Sequence, residues 1–427
     1  MIDLKLLRAD PAGVEKRLRT KRPDVSVQPI LEADEKLRDV TTELESLRAE
    51  KKRAGKSVPT LKGTERNTLL AQLKELDVKE EKLHDQQSAL ASRLREAMLT
   101  LPNLPADDVR PGADERENEV IRQVGTKPEF TFPAKEYLHL VETHDLADLK
   151  RAAKSSGSRF VYLKGALAKL EFALVRYAFD IAEQEGFLPI VPPVLINKRS
   201  MEGMGYLAHG AAAEIYHLPK DDLYLVGTAE QSIGPMLQDE VLMKEALPLR
   251  FAAFSTCFRR EAGSYGKDMK GFLRVHQFDK VELFSFTTPD TSDVEHERFL
   301  AIEERLMQAL GLHYQVVKMC SGDLGDPAAR KYDIETWLPG QGTYRETHST
   351  STCTDFQARR LNIRYRDGNG MRFVHTVNGT AFAIGRTLIA ILENGQTANG
   401  DVHVPEALQP YCGFDLISRN DRPSHGG

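Results

Sequence analysis

The spacing of hydrophobic residues changes near residue 100 and predicts two different structural parts. From residue 30 to residue 94 the apolar residues recur at intervals of three and four. Four leucines lie seven residues apart, at Leu69, Leu76, Leu83 and Leu90. This spacing is typical of the seam between two coiled helices. The glycines and the proline of residues 54–63 predict a turn, so we expect an antiparallel helical hairpin, the arm, over about residues 30–98, some 45 Å long.

Beyond the arm, the pattern predicts a mixed domain. Prolines at 102, 105 and 111 indicate a linker, and we place a first domain at 1–108 and a second at 109–427. Helical spacing covers Leu163 to Glu185. Short β-rich runs at 223–226, 250–257 and 280–286 are joined by short loops, which favours an antiparallel sheet and an α+β fold. No G-x-G-x-x-G follows a predicted strand, so a dinucleotide-binding fold has little support.

Charge is balanced overall but not at the end of the arm. The chain has 427 residues, with 58 Lys and Arg against 63 Asp and Glu, which excludes a uniformly basic surface. No acidic residue occurs from 51 to 64, whereas five basic ones do, and we call them the tip cations: Lys51, Lys52, Arg53, Lys56 and Lys62. They suit the phosphate backbone of a nucleic acid. A solvated coiled-coil surface or a dimerisation arm explains this segment equally well.

Phosphate-loop, export and metal signals are weak or absent. Gly55-Lys56-Ser57 resembles the end of a phosphate loop, but Glu50 stands where its first glycine is required. The N-terminus lacks the apolar core of a secretory signal and no run approaches 18 apolar residues, so we expect a cytoplasmic protein without a membrane segment. The four cysteines are scattered without Cys-x-x-Cys, and we expect no structural zinc.

Residues 254–284 carry the strongest candidate chemistry. They predict two strands joined by a long polar loop. Arg259 and Glu261 are two residues apart and should share one face of the first strand. Arg274, Phe278 and Glu282 recur at intervals of four on the second. Cations, carboxylates and a ring on one face suit a nucleotide, although a hairpin with surface ion pairs has the same pattern.

Three segments resemble the motifs of the class II aminoacyl-tRNA synthetases, in the same order. They are Gly186-Phe-x-x-Ile-x-x-Pro193 for motif 1, Phe258-Arg-Arg-Glu261 with Arg274-x-x-x-Phe278-x-x-x-Glu282 for motif 2, and Asn378-Gly-Thr-Ala-Phe-Ala-Ile-Gly-Arg386 for motif 3. Further segments resemble the seryl branch: 228–230, 322–325, 346–349 and 355–365. The resemblance covers nearly the whole chain and identifies it as a member of the bacterial-type seryl-tRNA synthetases.

The resemblance implies a fold, a reaction and partners. The fold would be α+β, with a class II antiparallel catalytic sheet flanked by helices and an N-terminal coiled-coil arm. The reaction would activate L-serine with ATP and Mg²⁺ to seryl-adenylate and then load tRNA(Ser), and also tRNA(Sec). Motif 1 implies a homodimer, with each arm serving tRNA bound across the pair.

The resemblance also implies roles for individual residues. Catalysis would rest on Arg259, Glu261 and Arg386. Serine would be bound by Thr228, Ala229, Glu230, Glu282 and Thr380. ATP would be bound by Arg259, Arg260, Glu261, Val275, Phe278, Glu346, Thr347, His348, Ser349 and Arg386, with Mg²⁺ held by Glu346 and Ser349. Two positions depart from common family patterns: Thr380 stands where serine is frequent, and Gly385 where many class II enzymes have glutamate.

Two rival functions remain in view. A paralogue that loads a small amino acid onto a carrier protein should lack a tRNA-reaching arm. A catalytically silent RNA-binding homologue should have lost some of Arg259, Glu261, Glu282 and Arg386, and all four are present.

Overall fold

The computed structural model describes residues 1–208, 210–262 and 270–418. It divides into a compact unit from Ile2 to Pro102 and a second unit from Asn103 onward, which also includes Met1. This division precedes the boundary that we predict at 108/109. The difference has a local cause, because the Asn103 N–H donates to the Asp326 carbonyl at 2.8 Å, deep in the second unit. No helix within the described ranges is long and apolar enough to cross a membrane.

The first unit consists of four helices. They are α1 (Leu4–Ala9), α2 (Pro11–Arg19), α3 (Gln28–Ser57) and α4 (Gly63–Leu99). Helices α3 and α4 form the arm, and their turn lies at 58–62, where a short 3₁₀ helix spans Val58–Thr60. Gly55 stays within α3, so the helix continues further than its glycine suggests.

The arm is held by a short apolar seam and by ion pairs. Leu44, Leu47 and Leu83 are its buried contacts between α3 and α4. From residue 48 to residue 82, a stretch that the structure describes throughout, no side chain is buried. There Arg48 Nε lies 2.8 Å from a Glu80 carboxylate oxygen, and such exposed pairs contribute only about 0.2 to 1 kcal/mol each.

The second unit alternates strands and helices. In chain order the elements are β1 (Glu119–Val124), α5 (Tyr137–His144), β2 (Ala147–Asp148), α6 (Leu149–Ser156), β3 (Tyr162–Leu163), α7 (Gly165–Gln184), β4 (Leu188–Ile190), β5 (Leu195–Asn197), α8 (Lys198–Met204), β6 (His217–Leu218), β7 (Leu223–Leu225), α9 (Glu230–Ile233), β8 (Val241–Met243), β9 (Leu249–Phe258), β10 (Gln277–Thr287), α10 (Ser292–Ala309), β11 (Tyr314–Lys318), β12 (Arg330–Leu338), β13 (Thr343–Thr354), α11 (Phe356–Leu361), β14 (Arg364–Asp367), β15 (Gly370–Phe373), β16 (His375–Ala383), α12 (Ile384–Gly395), β17 (Val402–His403), α13 (Gln409–Cys412) and β18 (Leu416–Ile417).

An eight-stranded sheet organises this unit. Its order is β1-β11-β12-β13-β16-β10-β9-β4, and every neighbouring pair is antiparallel except β4 with β9. One face packs its apolar side chains, among them Val281 and Leu283, against α7, α10 and α12. The opposite face carries polar side chains and forms a cleft. The predicted α+β fold with an antiparallel sheet and flanking helices is therefore confirmed.

Two β-bulges interrupt the register beside the cleft. Between β12 and β13 the pairing passes from Ile334↔His348 to Glu335↔Glu346, so Thr347 is an extra residue. Between β10 and β16 it passes from Val281↔Phe382 to Glu282↔Thr380, so Ala381 is extra. A bulge re-aims the side chains that flank it. Residues two apart across each bulge therefore face opposite sides of the sheet.

Candidate active site

The cleft contains two adjoining cavities that share three charged residues. The first lies over β10, β13 and β16, and its lining includes Phe278, Lys280, Glu346, Ser349, Thr380 and Arg386. The second lies beside α8 and β7 and includes Tyr206, Thr228 and Gln231. Arg259, Glu261 and Arg274 line both. A ligand in one cavity would therefore lie beside a ligand in the other, with Arg259 between them.

Arg259 and Glu261 follow strand β9 rather than belonging to it. The strand ends at Phe258, and Glu261 has a left-handed backbone with φ 52°. The prediction that both share a strand face is therefore wrong, and the turn brings them to the same cavities instead. Arg274 likewise precedes β10, and its guanidinium lies 3.4 Å from the Glu261 carboxylate. The interior of the predicted loop, residues 263–269, lies outside the described residues.

Arg259 is held in place from two sides. Its backbone N–H donates to the His276 carbonyl at 3.0 Å, and its Nε donates to the Gly227 carbonyl at 3.2 Å. Its guanidinium carbon lies 5.4 Å from the ring centroid of Phe278. The remaining guanidinium nitrogens can serve an anion, and the side chain is oriented before any ligand arrives.

A buried acidic pocket lies at the base of the cleft. Glu282 is 2% exposed and forms an ion pair with Lys280 at 2.8 Å. The Thr380 hydroxyl lies 3.4 Å from both carboxylate oxygens of Glu282. Glu230 is 3% exposed and accepts a hydrogen bond from the Tyr206 hydroxyl. The pocket thus presents two carboxyl groups and a hydroxyl to a small polar ligand.

Burial controls the protonation of these acids. Burial, followed by the charge of Glu282, raises the pKa of Glu230 to about 7, against the opposing charges of Lys280 and Arg259. Burial also raises the pKa of Glu282, while Lys280 lowers it. The hydroxyl of Thr228 is buried without a hydrogen-bond partner among the described residues. A ligand that brings a cation and a hydroxyl would satisfy groups that the empty pocket leaves poorly compensated.

The outer part of the first cavity joins Arg386 to Glu346. The Arg386 guanidinium donates to the Glu346 carboxylate at 3.0 Å and to its carbonyl at 2.8 Å. Burial would raise the pKa of Glu346, but Arg386 and Lys331 outweigh it and hold the value at about 2. Ser349 pairs with Asp333 across β12 and β13, so both lie on the cleft face. This end of the cleft offers a cation, a fixed anion and oxygen atoms.

Several predicted site residues point elsewhere. The Arg260 guanidinium lies over the ring of Tyr216 at 5.1 Å. Thr347 donates or accepts a hydrogen bond with Thr336 at 2.7 Å, and the His348 ring packs edge-on against Phe382 on the helix side. Ala229 is fully buried in an apolar cluster. Thr347 and His348 nevertheless contribute other atoms to the lining of the first cavity, as does Val275.

Sequence reasoning missed two residues of the acidic pocket. Lys280 lies two residues before Glu282 on β10, and the period of two could have revealed it. Tyr206 has no such signal, because it lies 24 residues from its partner Glu230 in a different element.

Comparisons with known proteins agree with this geometry. Residues 216–395 match the family model of the tRNA synthetase class II core domain (G, H, P, S and T), and residues 1–105 match that of the seryl-tRNA synthetase N-terminal domain. Serine–tRNA ligases from Acidothermus cellulolyticus and Nocardia farcinica are 47% and 46% identical, over 98% of this chain and 99% of each relative. The seryl-tRNA synthetase from Pyrococcus horikoshii, solved in complex with ATP, is 38% identical with a TM-score of 0.92, over 98% of this chain and 99% of that one.

Proposed function

Because the chain belongs to the seryl-tRNA synthetases of class II, we propose that its two cavities bind ATP and serine on either side of Arg259. The protein is a serine–tRNA ligase, which activates serine with ATP and joins it to tRNA. The observation that carries the assignment of residues is the position of Arg259 in both cavities. A guanidinium there can neutralise the serine carboxylate and the α-phosphate together as they approach.

ATP occupies the first cavity in this proposal. Phe278 stacks on adenine, and Glu261 lies at the adenine side beside Arg274. Arg386 holds the distal phosphates. Thr347, His348 and Val275 border the nucleotide through their backbone or apolar atoms, because the bulge at Thr347 turns the His348 ring away. Arg260 supports the site from the Tyr216 side and touches no ligand.

Mg²⁺ fits the outer end of the same cavity. Glu346 keeps its charge, since its pKa is held at about 2, and Ser349 adds a hydroxyl on the same face. No three His, Cys, Asp or Glu side chains converge on a metal position within the described ranges. Mg²⁺ needs no such cage, because it is commonly held by one or two carboxylates, water and substrate phosphates. The ion would neutralise phosphate charge.

Serine occupies the acidic pocket, which lies where the two cavities adjoin, because Thr228 lines the second cavity and Thr380 lines the first. Glu230 and Thr228 receive its ammonium group, and Glu282 with Thr380 receives its hydroxyl. Ala229 shapes the pocket through its backbone. A site built around a hydroxyl can reject the analogue that lacks it by about 10⁴ to 10⁵.

Amino-acid-dependent exchange of pyrophosphate into ATP tests this assignment. We expect exchange with serine and little with alanine, glycine, threonine or cysteine, followed by charging of tRNA(Ser). Exchange without charging would favour the carrier-protein rival, and absence of both would favour the silent homologue. Charging of tRNA(Sec), which we also propose, is measured beside tRNA(Ser) and a tRNA of another family as the negative control.

Replacing Glu282 with alanine should damage serine recognition selectively. Its carboxylate is the acceptor nearest the Thr380 hydroxyl, so we expect the KM for serine to rise about 100-fold while the KM for ATP changes less than about 3-fold. Pyrophosphate exchange with each substrate varied in turn measures both. Glu297→Ala, which removes an exposed carboxylate of α10 on the helix side of the sheet, is the control. Unchanged serine kinetics would refute the role of Glu282.

We propose a homodimer through the motif 1 surface. Three apolar side chains on α7 and around edge strand β4 are exposed: Phe172 at 69%, Leu188 at 59% and Val191 at 75%. Large exposed apolar residues grouped at a sheet edge are typical of protein interfaces.

Charged substitutions on this surface should produce monomers. We expect Phe172→Asp with Val191→Asp to halve the mass measured by sedimentation, because each change places a charge in an apolar interface. The exposed Val294→Asp on α10 is the control. A wild-type protein that sediments as a monomer would contradict the proposal.

A further inference from the structure

The hydrogen-bond ladder between β9 and β10 changes just beyond its last pair. That pair is Phe258↔Gln277, so Arg259 lies opposite His276 at the next position. In a hydrogen-bonded antiparallel pair, each residue donates one backbone N–H to the other. Here only one of these bonds is made: the Arg259 N–H donates to the His276 carbonyl at 3.0 Å, but the His276 N–H donates to the Arg159 carbonyl, also at 3.0 Å. The Arg259 carbonyl therefore loses the backbone donor that a regular ladder would give it.

The side chain of His276 replaces that donor. Its Nδ1 lies 3.0 Å from the Arg259 carbonyl oxygen, and because a carbonyl oxygen can only accept, Nδ1 carries the proton in this contact. Two aromatic rings flank the imidazole and restrict its rotation, with centroid distances of 5.4 Å to Phe160 and 6.3 Å to Tyr216. His276 thus holds both peptide groups of Arg259, one through its carbonyl and the other through its ring.

The loop that takes the His276 N–H also contacts the turn after β9. Arg159 lies in this loop, between α6 and β3, and has a left-handed backbone with φ 60°. Its carbonyl accepts from His276, while its Nη1 donates to the Glu261 carbonyl at 3.2 Å. The loop therefore separates the two strands at the point where the chain leaves β9 and turns. The imidazole of His276 spans the resulting gap on the side of Arg259.

We propose that His276 is a positioning residue for adenylate formation, because its imidazole fixes the peptide from which the Arg259 side chain projects. The inference deepens the proposed function and rests on the role of Arg259 proposed there. His276 is not among the described residues that line either cavity, so its effect on the reaction passes through Arg259. A displacement of about 1 Å in a group that orients the reactants can cost about 10²-fold in rate.

Two variants separate the donor from the ring in serine-dependent pyrophosphate exchange. His276→Phe keeps a ring between Phe160 and Tyr216 but has no donor, whereas His276→Asn loses the ring and keeps an N–H at the position of Nδ1. We expect His276→Phe to lower kcat about 10-fold or more, with the KM for serine and for ATP within about 3-fold, and His276→Asn to keep kcat within about 3-fold of wild type. His403→Phe, the same change at an exposed histidine of β17, is the control. Equal losses of kcat in the two His276 variants, or no loss in His276→Phe, would overturn the proposal.

A glutamine variant keeps the proposal testable if His276→Phe does not fold. Asparagine and glutamine carry the same amide, but the glutamine amide lies one carbon further from the backbone and beyond the position of Nδ1. We therefore expect kcat of His276→Gln to be about 10-fold below that of His276→Asn. Equal kcat values in the two amide variants would show that the position of the donor does not matter, and would overturn the proposal.

The Arg259→Ala variant separates the two possible failures. If it leaves exchange unchanged, the proposed role of Arg259 is wrong, and the inference falls with it. If it lowers exchange while His276→Phe does not, the role of Arg259 stands and only that of His276 is refuted.

The double variant tests whether His276 acts through Arg259. Once Arg259 is alanine, there is no guanidinium left to position, so we expect His276→Phe to lower the residual exchange less than about 2-fold. A loss as large as that in the protein with Arg259 intact would show that His276 supports the fold generally, and would overturn the proposal.

Discussion

Replacing Arg259 with alanine is expected to lower serine-dependent pyrophosphate exchange about 10³-fold or more, chiefly through kcat. Two anions must meet during adenylate formation, and two cations, Arg259 and Arg274, line both cavities. Arg274 lies 3.4 Å from the Glu261 carboxylate, so Arg259 is the one whose charge we assign to the anions. Its hydrogen bond to Gly227 and its contact with Phe278 orient it before any ligand arrives. Initial rates at saturating serine and ATP measure the loss.

Two variants sharpen this test. Arg259→Lys keeps the charge but not the planar fork that can hold two oxygens at once, and we expect it to recover little activity. Arg260→Ala removes an adjacent guanidinium that lies over Tyr216, outside the lining of both cavities, and should cost less than about 10-fold. Similar losses in the Arg259 and Arg260 alanine variants would mean that the whole turn, not one guanidinium, supports the reaction.

Deleting residues 31–98 is expected to abolish tRNA charging while leaving pyrophosphate exchange within about 3-fold. The deletion removes most of α3 and α4, whereas every residue assigned to ATP and serine lies in the second unit. The tRNA contacts that we propose for the arm would depend on its charge and on its length, and α1 and α2 are much shorter helices. Exchange and charging are measured on the same preparation.

A smaller change separates the tip cations from the rest of the arm. Lys51 lies 2.8 Å from Glu80 and is already paired, so we expect tRNA binding to depend on the other four: Lys52, Arg53, Lys56 and Lys62. Changing these four to alanine should raise the KM for tRNA and flatten its salt dependence. Changing Lys74, Lys82, Arg93 and Arg95 on α4 is the control with equal charge. In the variant that lacks residues 31–98, equal losses of pyrophosphate exchange and of tRNA charging would contradict a role of the arm in tRNA binding alone.

Much of this organisation can be read from the sequence because it depends on local periodicity. The leucine spacing predicts the arm. The β-rich runs predict β9 to within one residue at each end, and they predict β10 except for its first three residues and its last one. The spacing also predicts that Phe278 and Glu282 share one face of β10. The prediction of a shared strand face for Arg259 and Glu261 is nevertheless wrong, since a left-handed turn after β9 brings them together.

The features of the site that the sequence does not predict depend on strand register and on contacts between residues far apart in the chain. Period-two reasoning places Glu346 and His348 on one face, but the bulge at Thr347 separates them. The same reasoning gives no sign that Thr380 and Phe382 face opposite sides. Glu303 of α10 packs beneath Gly379 of β16, 76 positions further along the chain, and such a contact is visible only in the folded chain.

The uneven packing of the arm bears on how it can discriminate among RNAs. Its buried apolar contacts centre on Leu44, Leu47 and Leu83, and from 48 to 82 the side chains, Leu76 among them, are at most half-buried. A helical segment with few buried contacts opens at low free energy. The outer half of the arm can therefore adjust its shape, and an RNA must compensate the entropy of fixing it. An RNA whose surface follows both helices makes more contacts that offset this entropy than an RNA that offers backbone charge alone, so the weak packing of the outer arm favours the RNA that fits it better.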